Sequence, residues 1–438
     1  NSEAYLVKSL DEGFKLCEDI QPGKVFIGGG SSIYKEALDN HHIDELYITK
    51  IYEDYNCNNT ISLDNIHTNY VFYTHNPFEA KTGTQQNYKI HSVDEFKLKD
   101  VINDKLVDVA FFKMYKCPVN NDASYIPKYY NTFCSDQSYL DLLKKTLTEG
   151  HFRQTRNSNT WSIIYESIEF DLGLSFPILT SKKVLFDKAF EELMFFLKGD
   201  TNTNHLVEQG VNIWVPNTRR QFLDSVKLNN YEEGDMGNMY GFQWLHYGVK
   251  YEGMNADYSG KGFNQLEYCI NLLKTDPYSR RIMMTTFDPS EADKGCLYPC
   301  HGISIIFNVG KGTLCDRLEN KHVLNCMMIQ RSLDLCCGFA FNVIQYSLLV
   351  EFLCQIINND VNYKGPKFVP GKLKMVFADA HIYEQHYSEA VRQILRVPYE
   401  FPKLIFKRNV TDITDFKFED VELVDYVHHP FLNYKMVA

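Results

Sequence analysis

The Cys-x-x-Cys pair is absent from this sequence of 438 residues, although it contains 12 cysteines. Cys296 and Cys300 have no second ligand pair at zinc spacing, so no metal is expected. Basic charge is also in deficit. A net charge of −11 argues against a general nucleic-acid or membrane-surface binder, and neither DNA nor RNA is an expected partner. It does not exclude a small anionic substrate, because a few arginines can converge locally. No apolar run approaches the ~18–20 residues of a membrane-crossing helix. "NSEAYLVKSL" (1–10) lacks the charged stretch and apolar core of a secretory leader. The cysteines are therefore expected reduced, in the cytoplasm, and the triplets Asn58–Thr60 and Asn409–Thr411 have no expected role. Internal repeats and low-complexity tracts are missing. So is an initiator Met, and residues upstream of Asn1 are expected.

What is present is an ordinary globular balance, 44% hydrophobic and 23% charged, enough for roughly two or three domains. Residues 1–100 alternate short apolar runs with polar turns. "KVFIGGGSSIYKEAL" (24–38) reads as strand, glycine turn and helix, while "ELYITKIY" (45–52) and "NYKIHSV" (87–93) read as strands. Residues 101–135 include "CPVNNDASYIPKYYNTF", with two prolines and several Asn, and read as a linker. Patterning strengthens from 136 to 438. Helices are expected at 138–150, 187–202, 264–277 and 342–360. Strands are expected over "RRIMMTTF" (280–287) and "LNCMMIQRS" (324–332).

Cys300, in "CLYPCHGIS" (296–304), could be a nucleophile, a ligand, half of a disulfide or an inert buried thiol. A nucleophile needs cations nearby to favour its thiolate. Arg331, Arg280, Arg281, Arg153 and Arg156 all lie in stretches that could supply them. Guanidinium groups grip a dianionic phosphate well. Gly28, Gly29 and Gly30, between a strand and a helix, could approach a phosphate or merely form a tight turn.

Longer motifs narrow these alternatives. "EELMFFLKGDTN", "NIW", "GNMYGFQW", "DPYSRRI", "YPCHG", "QRSLDLCCGFAFN", "DAHIYEQH" and "FEDVELVDYVHHP…YKMVA" together resemble the thymidylate synthase family, from about 136 to 438. The glycine segment, with Tyr34 closing the first helical turn, resembles the NADPH-binding segment of dihydrofolate reductase. That likeness covers only the C-terminal half of the enzyme. The whole chain looks like a bifunctional dihydrofolate reductase–thymidylate synthase shortened at its front. The implied fold is α+β: a thymidylate synthase domain (136–438) with a large twisted mixed sheet and flanking helices. A linker (101–135) and a partial α/β reductase-like domain (1–100) precede it.

The resemblance implies reductive methylation of dUMP by 5,10-methylenetetrahydrofolate. Cys300 would attack C6 of uracil. Arg331 would favour the thiolate and bind phosphate with Ser332, Arg156, Arg280 and Arg281. The last two would come from the other subunit of a homodimer. Asn342 would read the pyrimidine edge, and His381 and Tyr383 the ribose 3′-hydroxyl. Glu192, a carboxylate in an apolar helix, would move protons with a raised pKa. Tyr240 and His301 would join it. Trp214, Asp334 and Ala438 would contact folate. NADPH would bind Gly28, Gly29, Gly30 and Tyr34 only if the missing reductase half were present, and reductase activity is not expected. Cys296, Cys336 and Cys337 would be packed thiols.

The chain departs from the family at several places. "RNSNTW" (156–161) lacks the family's glycines, "VPN" (215–217) replaces an acidic residue and a second Trp, and Tyr298 stands where Pro is usual. A glutamine is missing from "GISIIFNV" (302–309). "KGTLCDRLENKHV" (311–323) lengthens a hairpin, which costs little. Two other readings follow: a dUMP hydroxymethylase, or an impaired nucleotide-binding paralogue. Asn342, where a cytosine-specific form would carry Asp, argues for a uracil substrate, and Trp214 argues against the first. Retention of Cys300 with Arg331 argues against the second.

Overall fold

The computed structural model describes residues 9, 10, 12, 13, 15, 36, 45–51, 87–100, 105–117, 135–155, 158–310 and 320–437. The chain divides into Asn1–Tyr125 and Ile126–Ala438. In the first unit β1 (Glu45–Ile51), β2 (Asn87–Asp100) and β3 (Lys105–Cys117) form an antiparallel sheet in the order β1-β3-β2. The strand β3 corrects the reading of 101–135 as linker. Its sequence "KLVDVAFFKMYKC" is rich in Val, Phe and Tyr, which favour a pleated surface. The Pro and Asn signals begin only where it ends. Gly28, Gly29, Gly30 and Tyr34 lie outside the described residues.

The second unit is built on a mixed sheet. From one edge the order is β4 (His151–Gln154), β5 (Asn159–Asp171), β10 (Phe368–Tyr383), β8 (His322–Gln330), β7 (Ser304–Gly310) and β6 (Met283–Met284). A short β9 (Leu333–Asp334) also pairs with β10. The central β10 runs antiparallel to β5 and parallel to β8. Along β8 the side chains alternate, Leu324, Cys326 and Met328 being buried, as a period of two requires. A two-stranded sheet, β11 (Lys403–Phe406) with β12 (Val421–Val424), lies apart from this path.

Helices cover the sheet: α1 (Gln137–Glu149), α2 (Phe186–Leu197), α3 (Gly241–His246), α4 (Gln265–Thr275), α5 (Gly338–Asn359) and α6 (Tyr387–Ile394). Among the described residues, α5 is long and apolar enough to cross a membrane. Yet 83% of its apolar window is buried inside the domain, the pattern of a core helix. Phe190 of α2 meets Phe352 of α5 edge-on at 5.9 Å, and Phe339 of α5 meets Phe377 of β10 at 6.2 Å. Each such ring, fully buried, contributes about 1.5–3 kcal/mol.

The strand expected at 280–287 is much shorter, only Met283–Met284. Thr285 gives its backbone N–H to the Gln265 carboxamide of α4. A helix side chain thereby takes the hydrogen bond that a further strand residue would have used. Arg280 and Arg281 consequently sit in an exposed turn.

Gly241 opens α3 against the backbone of α2. A Cβ there would fall 2.1 Å from the carbonyl oxygen of Phe196. Backbone cannot yield as a side-chain tip can. We expect Gly241→Ala to lose about 1–3 kcal/mol of stability, measured by denaturant unfolding; an unchanged midpoint would contradict this packing.

Candidate active site

Cys300 follows Pro299 in the loop that leads into β7, and it is half-buried. Its carbonyl accepts the backbone N–H of Arg331, which lies just past the end of β8. That bond helps hold the cysteine loop against the arginine loop. The Tyr240 hydroxyl lies 3.1 Å from Cys300 Sγ. Tyr240 adopts φ 40°, ψ −102°, a strained conformation for a residue with a side chain. Strain at the residue touching the thiol marks a position where geometry outweighs comfort.

Arg331 faces the same loop. Its Nε donates to the Pro299 carbonyl at 3.0 Å and its Nη2 to the Tyr298 carbonyl at 3.3 Å. The guanidinium stacks 5.0 Å above the Tyr298 ring, a cation–π contact made possible by tyrosine in place of the usual proline. Burial pushes the Cys300 thiol pKa up, and this outweighs the lowering by Tyr240 and Arg331. Arg331 thus acts in the expected direction without prevailing.

An aromatic chamber surrounds the thiol. His301 stacks on Tyr240 at 4.2 Å, and Trp214 meets Tyr240 edge-on at 6.0 Å. Burial lowers the His301 pKa to about 3, so the ring is neutral near pH 7. Its Nδ1 lies 2.8 Å from the Tyr346 hydroxyl.

Glu192 stands at the back of this chamber on α2, only 5% exposed. Trp214 Nε1 donates to one carboxylate oxygen and Gln345 Nε2 to the other, each at 2.6 Å. Desolvation raises the pKa to about 7 against the pull of these two donors. Both protonation states are therefore populated at neutral pH, as proton transfer requires.

Asn342, on the first turns of α5, is buried and donates from Nδ2 to Gln330 at 3.1 Å. His381 and Tyr383 share the end of β10, their rings 5.1 Å apart. His381 Nδ1 meets Asp379 at 2.9 Å. Asp379 also accepts from Ser162 at 2.8 Å and pairs with Arg153. Asp334 Oδ1 accepts the backbone N–H groups of Cys336 and Cys337 at 2.8 and 3.2 Å. Ser332 lies beside the Cys300 carbonyl, its N–H at 3.5 Å. Among the described residues, no hydrogen bond joins Arg280 or Arg281 to this group. Arg156 and Ala438 lie outside the described residues.

Sequence reasoning missed Gln345, Gln330, Tyr346 and Asp379. Gln345 had a signal: it lies three residues after Asn342 on one helix, so the two share a face. Cys296 is buried with its sulfur 3.8 Å from that of Met239, and Cys296, Cys300, Cys336 and Cys337 are free thiols.

A half-buried thiol touched by a phenol, linked through Trp214 to a buried carboxylate with a raised pKa, has the make-up of a candidate catalytic site. A family model, "Thymidylate synthase", matches residues 137–438. Thymidylate synthase of Saccharomyces cerevisiae is 39% identical over 308 residues, covering 69% of this chain and 96% of the yeast protein. Bifunctional dihydrofolate reductase-thymidylate synthase of Plasmodium chabaudi is 31% identical over 468 residues, covering 100% of this chain and 76% of that protein. The bifunctional enzyme of Daucus carota is 34% identical, covering 97% and 77%. The chain belongs to the thymidylate synthase family, with its whole length related to the bifunctional enzymes. It is a thymidylate synthase, a methyltransferase.

Proposed function

We propose that the chain converts dUMP to dTMP with Cys300 as the nucleophile on uracil C6. The observation that carries this reading is the Cys300–Tyr240 contact at 3.1 Å, in a chamber that Trp214 links to Glu192. The thiol must lose its proton before attack. Burial opposes that loss and Arg331 favours it. A dianionic phosphate would be held by Arg331 and Ser332 beside the thiol, with Arg156 proposed to join them.

Asn342 spends one N–H on Gln330. Its carbonyl remains to accept from uracil N3–H, and its second N–H to donate to O4. The Asp379 carboxylate accepts from His381 Nδ1, which leaves Nε2 as the ring atom for the ribose 3′-hydroxyl. Neutral His301 and Tyr240 pass protons near the uracil ring, with Glu192 as the reservoir.

5,10-Methylenetetrahydrofolate, when bound, supplies the one-carbon unit and the hydride. The residues present fit it. Trp214 has its indole N–H committed to Glu192, so the ring is fixed as an apolar wall. Asp334 has one oxygen fixed by backbone and the other able to accept from a pterin N–H. Ala438 would close the site. NADPH binding at Gly28, Gly29, Gly30 and Tyr34 is proposed only for a protein with a complete reductase half.

A homodimer is proposed on two grounds. Phe152, Ile164 and Tyr165 of β4 and β5 are 51%, 55% and 82% exposed, an apolar edge suited to a second copy. Arg280 and Arg281 are exposed, and among the described residues no hydrogen bond ties them to their own site. Sedimentation equilibrium should return a dimer mass; a monomer at micromolar concentration would sink this part. The unpaired cysteines suit the reducing cytoplasm.

Gln345 offers a sharper test. Gln345→Leu removes a donor that stabilises ionised Glu192, so the Glu192 pKa rises. The corresponding limb of the kcat–pH profile moves to higher pH. A profile unchanged in position would show that Gln345 does not act on the carboxylate. Mass analysis of the product separates the chemistry, because dTMP and hydroxymethyl-dUMP differ by an oxygen.

A further inference from the structure

His386, at the end of the turn leading into α6, is 1% exposed. Its Nε2 lies 2.7 Å from the carbonyl oxygen of Lys435, in the C-terminal segment. A carbonyl only accepts, so Nε2 carries the hydrogen and Nδ1 is the ring nitrogen left to face other groups. That Nδ1 is buried and makes no hydrogen bond. It faces Asp334 Oδ1 at 3.9 Å. The Cys337 sulfur lies within 4.8 Å of the same carboxylate and 4.0 Å from the carbonyl oxygen of Tyr434. One ligand atom from each of Asp334, Cys337 and His386 lies within 4.8 Å of the others. Electron-rich oxygen, sulfur and nitrogen thus converge on one point, and a positive centre belongs between them.

We propose that Asp334, Cys337 and His386 form a binding site for a thiophilic divalent cation of the zinc class. Sulfur, imidazole and carboxylate are the donors zinc prefers. With bonds of about 2.0–2.3 Å, tetrahedral ligand atoms lie roughly 3.3–3.6 Å apart, so the three need draw together by only about 1 Å. The outer partners are already in place. A metal-binding histidine usually donates its other ring N–H to a carbonyl or carboxylate, and Lys435 supplies the carbonyl. The N–H groups of Cys336 and Cys337 hold the Asp334 carboxylate. Lys182 is the nearby cation; its amine donates to the Cys336 carbonyl and lies 4.5 Å over the Tyr434 ring. On binding, Cys337 releases its proton to solvent and a water fills the fourth position. The set is invisible to spacing rules, because its members come from one loop and a distant helix entrance.

The consequence rests on the proposed folate role of Asp334: metal and folate would compete for one carboxylate, and the metal would inhibit. Co²⁺ is the probe. Added to the full chain, it should give a thiolate-to-cobalt charge-transfer band and tetrahedral visible bands, both displaced by Zn²⁺. Cys300→Ser should keep the band. Cys337→Leu, shown folded by its thermal transition, should lose it. Because losing even an outer partner costs about 10–100-fold in metal affinity, Zn²⁺ should inhibit this variant at least about tenfold more weakly. A band that persists in Cys337→Leu, or no band in the wild type, overturns the site. A Cys337-dependent band that saturating folate leaves untouched supports the metal site and overturns the folate role of Asp334.

Discussion

Cys300→Ser should lower kcat by about 10³-fold or more while leaving dUMP binding within a few-fold. A hydroxyl ionises far less readily than a thiol and is a poorer nucleophile. In this site burial already raises the Cys300 pKa, so a serine, starting much higher, never reaches its anion. The phosphate and pyrimidine contacts proposed for Arg331 and Asn342 do not involve the sulfur, so binding should survive. Stability should change little, because Cys300 is half-buried and the exchange leaves no large cavity. Calorimetric titration with dUMP and steady-state rates would read both halves. A variant that retains a tenth of its activity would remove Cys300 from the chemistry.

Glu192→Gln carries the second-largest expected effect, a loss of about 10²–10⁴-fold in kcat, the usual weight of a positioned acid–base group. Its carboxylate titrates at about 7, so the wild-type kcat–pH profile should show a limb near neutrality. Glutamine cannot titrate, and the limb should vanish. The substitution also acts on the neighbours. Trp214 and Gln345 both donate to the carboxylate; an amide offers a single oxygen and turns an N–H toward one of those donors. KM for the folate should therefore rise as Trp214 loses its anchor. A pH profile with the limb intact would assign that titration to another group.

The pKa of Glu192 also bears on stability. Its folded value of about 7 lies above the usual carboxylate value of 4.5. The folded protein therefore binds the proton more tightly than the unfolded chain. The stabilisation is fully present below about 4.5 and is lost as pH rises through about 7.

Much of this was legible from the sequence because local signals and burial agreed. The apolar run "FEELMFFL" became α2, and the carboxylate inside it proved buried and shifted, as an unneutralised charge in that setting must be. His381 and Tyr383, two apart, do share the end of one strand. The first turns of α5 bring Asn342 close to Gln330 of β8. What escaped the sequence depended on contacts between distant elements. The edge strand over 280–287 shrank because Gln265, from a helix, took its hydrogen bond. β3 hid in a stretch whose prolines come only after it. Gln345 looked like one more polar residue in a long helix until Glu192 was seen against it. The tie between Arg331 and Tyr298 needs a loop folded back on a strand end, which no periodicity encodes.

The most direct measurement is tritium release from 5-labelled dUMP with methylenetetrahydrofolate, with dihydrofolate absorbance followed in the same cuvette, for the wild type and Cys300→Ser. Release that tracks dihydrofolate in the wild type and vanishes in the variant is the predicted result. Release without dihydrofolate, or release undiminished in Cys300→Ser, would contradict thymidylate synthesis through this thiol.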